Sequence, residues 1–249
     1  MSSWVQGQNL TYSIANELGI AIVTGTYAAG NPIPIEAQLS RKYGASRSAL
    51  REAVKMLTAK GLLDARPRRG TWVQPEENWN LLDPDVLGWL LERKYSAALL
   101  IEFMEIRLAV EPGAARLAAR AARREEKVAI RHAIERMQAA DRGDDDPLDS
   151  DIAFHVAVLR ASRNRFYAQL TGFTATALRF SIQRSNRPKG EQPAVIADHK
   201  KVADAILAGR SEAAGEAMHK LIQDALDLIC KREARQATRR VAGYSRRVA

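Results

Sequence analysis

The chain contains only four histidines, and three of them stand where they could hold a metal ion. His155 follows Asp151 by four residues in Asp151-Ile-Ala-Phe-His155, a stretch whose apolar spacing predicts a helix. Positions i and i+4 share a helix face, so this carboxylate and imidazole can reach one point. His199 lies on the next-to-last long helical stretch, Asp198-His-Lys-Lys-Val-Ala-Asp-Ala-Ile-Leu. His219 lies on the last, Ala217-Met-His-Lys-Leu-Ile. Two antiparallel helices joined near Gly209 would bring 199 and 219 to similar heights. Three imidazoles and one carboxylate converging inside a bundle would bind zinc, with nickel or manganese as alternatives. The plainer reading, histidines hydrogen-bonded in a core or solvated at a surface, stays open on spacing alone. His132 points away from the face marked by Ile130, Ala133, Ile134 and Met137, so it is left out.

A second set of residues suits nucleic acid. Arg47, Ser48 and Arg51 follow Ser46 in the first turns of a helix, and Arg41 and Lys42 close the helix before it. Arg47 and Arg51 are expected to read base edges, guanines preferentially, and Arg41 and Lys42 to hold phosphates. Arg66-Pro-Arg68-Arg69-Gly70 is a basic turn between two short apolar runs. Its Arg68, Arg69 and Gly70 are expected to meet the DNA backbone or a minor groove.

The elements that must position these residues are legible. Leu10, Ile14, Leu18, Ala21 and Ile22 form a helical stripe, followed by a loop with Gly25, Gly30, Pro32 and Pro34. A short helix carries Ala37, Leu39 and Tyr43. Gly44 breaks it, and Ser46 caps a helix expected to bury Leu50, Val54 and Leu57. Leu62-Leu63 and Thr71-Trp72-Val73 read as two strands. Short helix, turn, capped helix and a cationic two-stranded wing make a winged helix-turn-helix; a packed helical hairpin with solvated arginines is the alternative.

Asp83-Pro84 starts a further helix with Val86, Leu87, Leu90 and Leu91 on one side. Helices are then expected at roughly 97–121, 124–141, 147–161, 165–185, 193–208 and 211–232, and no β-like alternation follows Val73. The fold class is therefore mainly α: an N-terminal winged helix-turn-helix and a C-terminal all-α bundle of six or seven helices. The expected domains are 8–75 for the reader, 76–96 for a linker and connecting helix, 97–232 for the bundle, and 233–249 for a basic, disordered tail.

Bulk properties agree. The net charge is +9, carried by the two ends. Residues 1–75 hold nine Lys/Arg against four Asp/Glu, and residues 231–249 hold seven against one. A basic head and tail on a near-neutral body point to a polyanionic partner. There is no apolar run of about 18 residues to span a membrane and no secretory layout at the start. The one cysteine, Cys230, excludes an internal disulfide and reads as a buried thiol in a protein of the reducing cytoplasm.

The run Gly25-Thr-Tyr-Ala-Ala-Gly30, Pro34-x-Glu36, Leu39, Tyr43-Gly44-x-Ser46-Arg47-x-x-Leu50-Arg51-Glu52-Ala53, Leu57, Gly61-Leu62 and Arg69-Gly70-Thr71-x-Val73 resembles the winged helix-turn-helix of the GntR family of bacterial transcription regulators. Arg68 departs from the pattern, since many relatives carry glycine there. Residues 84–232 resemble the ligand-binding FCD domain of that family's FadR-like branch. The matching pieces are Glu105-x-Arg107-x-x-x-Glu111-Pro112-x-x-Ala115, Asp151-x-x-Phe154-His155, Asn164, His199-x-x-x-x-x-Ala205-Ile206 and Ala213-x-x-x-Ala217-Met218-x-x-Leu221.

This resemblance implies a divalent metal on Asp151, His155, His199 and His219. Many relatives space the last histidine two or three residues further on. It also implies a carboxylate effector held by the metal and by an arginine. Arg107 is the candidate, with an ion pair to Glu111 or Glu105 as its plainer role, and Arg179 and Arg184 are weaker ones. The junction from Asn78 to Glu92 is similar to that of regulators of galactonate and related sugar-acid catabolism, which implies a sugar acid.

The expected function is thus a homodimeric, ligand-responsive repressor on a pseudo-palindromic double-stranded DNA operator, without membrane association and without enzymatic activity. The rival reading is a metal-dependent hydrolase or lyase built on the Asp/His cluster.

Overall fold

The computed structural model describes residues 3–66, 70–94, 96–183 and 196–248. They fall into two compact units, Met1–Lys94 and Tyr95–Ala249.

In the first unit, α1 (Ser3–Val23) buries Ile14, Ala15, Leu18 and Ile22 and packs on α3 (Arg47–Ala59). Before α3 comes α2 (Glu36–Tyr43), which ends at Gly44 with φ 57°, in the left-handed region that glycine enters without steric cost. Ser40 Oγ donates to the Ala45 carbonyl at 2.7 Å and tightens the turn. Ser46 Oγ then accepts from the Ala49 amide at 3.2 Å as the cap of α3. The inner face of α3 is Leu50, Ala53 and Leu57; Val54, expected to be buried, is half-buried because the stripe steps by three and then four.

The wing is β1 (Leu63–Arg66) paired antiparallel with β2 (Gly70–Val73), with Leu63 opposite Val73 and Arg66 opposite Gly70. The loop after α1 lies along the outer edge of β2: the Ile33 amide donates to the Thr71 carbonyl and the Val73 amide to the Asn31 carbonyl, each at 2.9 Å.

Gly61 joins α3 to the wing at φ +80°, and a Cβ there would lie 2.0 Å from the Asn78 carbonyl oxygen. Both the dihedral and the space demand glycine. Gly61→Ala should therefore destabilise the first unit by about 3 kcal/mol. Chemical denaturation followed by tryptophan fluorescence checks this; a midpoint equal to wild type would contradict it.

The segment after the wing, expected over 76–96 as a linker and connecting helix, carries that helix and falls in the same compact unit as far as Lys94. Helix α4 (Pro84–Leu90) is capped by Asp83 and packs on α1. The Trp89 ring covers Gly19, where a Cβ would come within 2.6 Å of it, and Trp89 Nε1 donates to Asn16 Oδ1 at 2.7 Å. Lys60, at the end of α3, meets Asp83 and Asp85 at 2.7 and 2.8 Å. Tyr12 donates to Asp85 at 2.8 Å. Arg93 forks onto Glu76 at 2.7–2.8 Å. These contacts tie the end of the recognition helix to α1 and α4.

The second unit is a seven-helix bundle among the described residues: α5 (Ala97–Ala121), α6 (Arg124–Asp141), α7 (Pro147–Ala161), α8 (Arg165–Gln169), α9 (Thr171–Gln183), α10 (Ile196–Leu207) and α11 (Ser211–Val248). Helix α5 packs on α11, α7, α9 and α10, so it runs through the middle. Phe103, Met104, Ala114, Ala115, Phe154, Phe180, Val202 and Met218 are among its core.

Three expectations change. The helix foreseen over 165–185 is broken at Leu170 into α8, capped by Asn164, and α9. Cys230 is exposed, not buried. The tail foreseen as disordered continues α11 as helix to Val248, consistent with a run that lacks proline and is rich in alanine and arginine. Among the described residues no helix is long and apolar enough to cross a membrane.

Candidate functional site

In the first unit the turn at Gly44 and the cap at Ser46 set the start of α3, and with it the arginines. Arg41, Ser46, Arg47, Ser48 and Arg51 are all exposed. On α3, Ser48 and Arg51 point away from the buried face of Leu50, Ala53 and Leu57 and Arg47 flanks it. Arg51 Nε lies 3.0 Å from Glu36 Oε1, with side chains 65% and 44% exposed. Such a pair is worth little in water, so Arg51 can exchange Glu36 for a base. Gly70 begins β2 in the left-handed region at φ 84°. Arg68 and Arg69, expected at the wing tip, lie outside the described residues.

The second unit brings buried charges together. On α5, Arg107 and Glu111 share a face at i, i+4, joined Nε to Oε1 at 2.7 Å, with side chains 4% and 1% exposed. On α7, Asp151 and His155 share a face in the same way, and α10 adds His199. His155 Nε2 is 3.6 Å from Asp151 Oδ1, and His199 Nε2 is 2.9 Å from the same oxygen. One donor atom from each of Asp151, His155 and His199 falls within 4.8 Å of the others, all three residues being buried. Phe154 sets the imidazoles from below, its ring meeting both edge-on at 5.5 and 5.0 Å. His155 Nδ1 is 2.5 Å from Glu111 Oε2, and Thr174 on α9 donates to Glu111 Oε1 at 3.4 Å.

Burial alone raises a carboxyl pKa. At Glu111 the charge of Arg107, and then His155, override it and hold the group at about 2. At Asp151 the neighbouring His199 and His155 imidazoles, with Arg107, do the same, again to about 2. Both carboxylates are therefore ionised at neutral pH.

These residues fit a metal. Both ring nitrogens of His199 are buried with no hydrogen-bond partner among the described residues, although Nε2 stands 2.9 Å from Asp151 Oδ1 as an ion pair. An orphaned buried nitrogen is rare and calls for an explanation. Neighbouring ligands around a metal at about 2.1 Å stand roughly 3.0–3.4 Å apart, and the 2.9 and 3.6 Å seen here lie just below and just above that range.

His219, the fourth expected ligand, is exposed and outside the convergent group. The buried stripe of α11, with Ala214, Met218, Leu221 and Ile222, leaves position 219 on the outer side. Arg107, expected to await an effector, is in the chamber but already engaged by Glu111. Arg179 is at the surface, 43% exposed and 3.2 Å from Asp149, and Arg184 lies outside the described residues. The sequence reading missed Glu111 and Thr174 as chamber residues. The signal for Glu111 was present: a charge at i, i+4 from Arg107, flanked by Phe103, Met104, Ala114, Ala115 and Ala118, sits within the apolar face of its helix.

A winged helix-turn-helix unit followed by a helical bundle defines the class of two-unit DNA-binding regulators. The chain belongs to the GntR family: residues 10–73 match the family described as bacterial regulatory proteins, gntR family, and residues 102–224 match the FCD domain. It is similar to the galactonate operon transcriptional repressor of Escherichia coli, 35% identical over 84% of this chain and 92% of that one. The uncharacterized HTH-type transcriptional regulator YieP of the same organism is 33% identical over 87% of this chain and 94% of its own length. Among solved structures, the protein titled "Lar controls the expression of the Listeria monocytogenes agr system and mediates virulence" shares the fold with a TM-score of 0.57. Its identity is 16%, over 89% of this chain and 96% of that one. The chain is a DNA-binding transcription regulator of the FadR-like branch, not an enzyme. Two histidines and one carboxylate also serve metal enzymes, but here they sit in a regulator's FCD domain.

Proposed function

We propose that the chain is a repressor of an operon for sugar-acid catabolism, acting in the cytoplasm as a homodimer on a pseudo-palindromic operator. A divalent metal, zinc foremost and nickel or manganese as alternatives, is held by Asp151, His155 and His199. The observation that carries this reading is the buried trio with the two unsatisfied nitrogens of His199. Three protein ligands, rather than the four expected, leave a coordination position open for an effector carboxylate. The metal supplies a Lewis-acidic anchor for that carboxylate. Arg107, one residue layer away, offers a guanidinium to the same anion. The similarity to the galactonate repressor supports a sugar acid as effector and repression as the sign.

Arg47 and Arg51 read bases in the major groove, Arg41 holds a phosphate, Ser46 and Ser48 line the helix start, and Arg68, Arg69 and Gly70 form the wing contact. The effector acts by linkage: an acid that binds one dimer geometry better shifts the population competent for DNA. Electrophoretic shift of the DNA upstream of the gene, with galactonate and other sugar acids, tests the reading. Release by one of them supports it, and binding that ignores every acid speaks against it.

Metal addition gives a second check. Zinc at a thousand times its dissociation constant should stabilise the chelator-treated protein by about 4 kcal/mol, seen as a rise in melting temperature of the helical unit. No rise with zinc, nickel or manganese would remove the metal from the account.

A further inference from the structure

We propose that Glu111 is the positioning residue of the chamber: its carboxylate dictates which nitrogen of His155 carries the proton, and therefore which one is offered to a metal. The inference rests on the metal reading above.

Glu111 Oε2 lies 2.5 Å from His155 Nδ1. A carboxylate only accepts hydrogen bonds, so Nδ1 is the donor, and in the neutral imidazole that ligation requires Nε2 then keeps its lone pair. The guanidinium of Arg107, 2.7 Å from the other oxygen, holds Glu111 as a carboxylate. Nε2 is the nitrogen on the Asp151 side, 3.6 Å from Oδ1. Arg107 Nη2 stands 3.2 Å from both ring nitrogens. Equally near to both, it favours neither nitrogen, and the choice falls to Glu111.

The carboxylate cannot turn to another arrangement, because Oε1 is held by Arg107 Nε at 2.7 Å and by Thr174 Oγ1 at 3.4 Å. A metal-bound histidine commonly hands its other N–H to a carboxylate, which fixes tautomer and ring orientation. Glu111, 1% exposed on a different helix from His155, is placed for that task.

Glu111→Gln separates this role from mere packing. The amide has nearly the same shape but one accepting and one donating end. Arg107 can only donate, so the amide oxygen goes to Arg107 and the NH₂ faces His155 Nδ1. His155 must then accept at Nδ1 and carry its proton on Nε2, toward Asp151.

The tautomer is read in the metal-free full chain by long-range ¹H–¹⁵N correlation of the imidazoles, with the pH raised until their shifts no longer change and His155 assigned from its absence in His155→Ala. The expected result is Nδ1–H in wild type, Nε2–H in Glu111→Gln, and a 10–100-fold weaker zinc affinity for the variant. Nε2–H in wild type overturns the proposal without any variant having to fold. Nδ1–H retained in Glu111→Gln, or an unchanged zinc affinity, overturns it as well. If wild type takes up no zinc, nickel or manganese, the metal reading fails, while the tautomer pair still decides the role of Glu111.

Discussion

Arg51→Ala should abolish the preference for operator over scrambled DNA while leaving the fold intact. A bidentate contact from arginine to guanine is worth about 1–3 kcal/mol of discrimination in each half-site. On a two-fold operator both half-sites lose it, so specific affinity should fall by roughly 30- to 10⁴-fold. Non-specific affinity should change little, because phosphate contacts from the other cations supply it. The stability of the variant should stay within about 0.5 kcal/mol of wild type, since Arg51 is exposed and its pair with Glu36 is a surface pair. Fluorescence anisotropy with operator and scrambled duplexes at one stated salt concentration, beside a melting curve, checks both halves. An unchanged operator-to-scrambled ratio would remove Arg51 from the reading surface.

His155→Ala should empty the chamber. Of three converging donors it removes the one that bridges both carboxylates, being 3.6 Å from Asp151 and 2.5 Å from Glu111. Zinc sites with four protein ligands have apparent binding energies of about 10–16 kcal/mol. Losing one ligand of a smaller set should then weaken the metal by about a thousandfold. Elemental analysis after dialysis should find metal in wild type and almost none in the variant. Equal metal content in both would dismiss the site as drawn. Release of DNA by an acid should vanish with the metal, whereas binding of DNA without the acid should persist.

Much of this arrangement could be read from residue types at short spacing. Gly44 and Ser46 announce the turn and the cap of α3 because both requirements, a left-handed backbone and a side-chain acceptor, are local. The helices at 97–121, 124–141 and 147–161 were legible for the same reason: their starts and stops are written in Ser96, Asp146-Pro147 and the apolar period. Asp151 and His155 are neighbours by helical geometry alone.

What escaped depends on contacts between distant segments. Glu111 meets His155 across 44 residues of sequence and Thr174 across 63, and no local rule pairs them. His219 was placed in the site by a count of residues either side of Gly209. Height along a helix is not direction around it, and the stripe through Met218, Leu221 and Ile222 turns position 219 outward. Helix α4 looked like a connector because its sequence is short and apolar. That it belongs to the DNA-binding unit depends on the bare face at Gly19 that receives Trp89, a fit invisible in either segment alone. Cys230 follows apolar residues, yet it is exposed where α11 runs on toward the tail.

The central claim is a division of labour, with one unit gripping DNA and the other sensing an acid through a metal. Anisotropy of the upstream DNA with the zinc-loaded full chain, titrated with galactonate and a panel of related sugar acids and repeated after chelation, tests it most directly. The account predicts release by one of these acids from the loaded protein and no release after chelation. DNA binding that stays the same across every acid, with metal and without it, would contradict it.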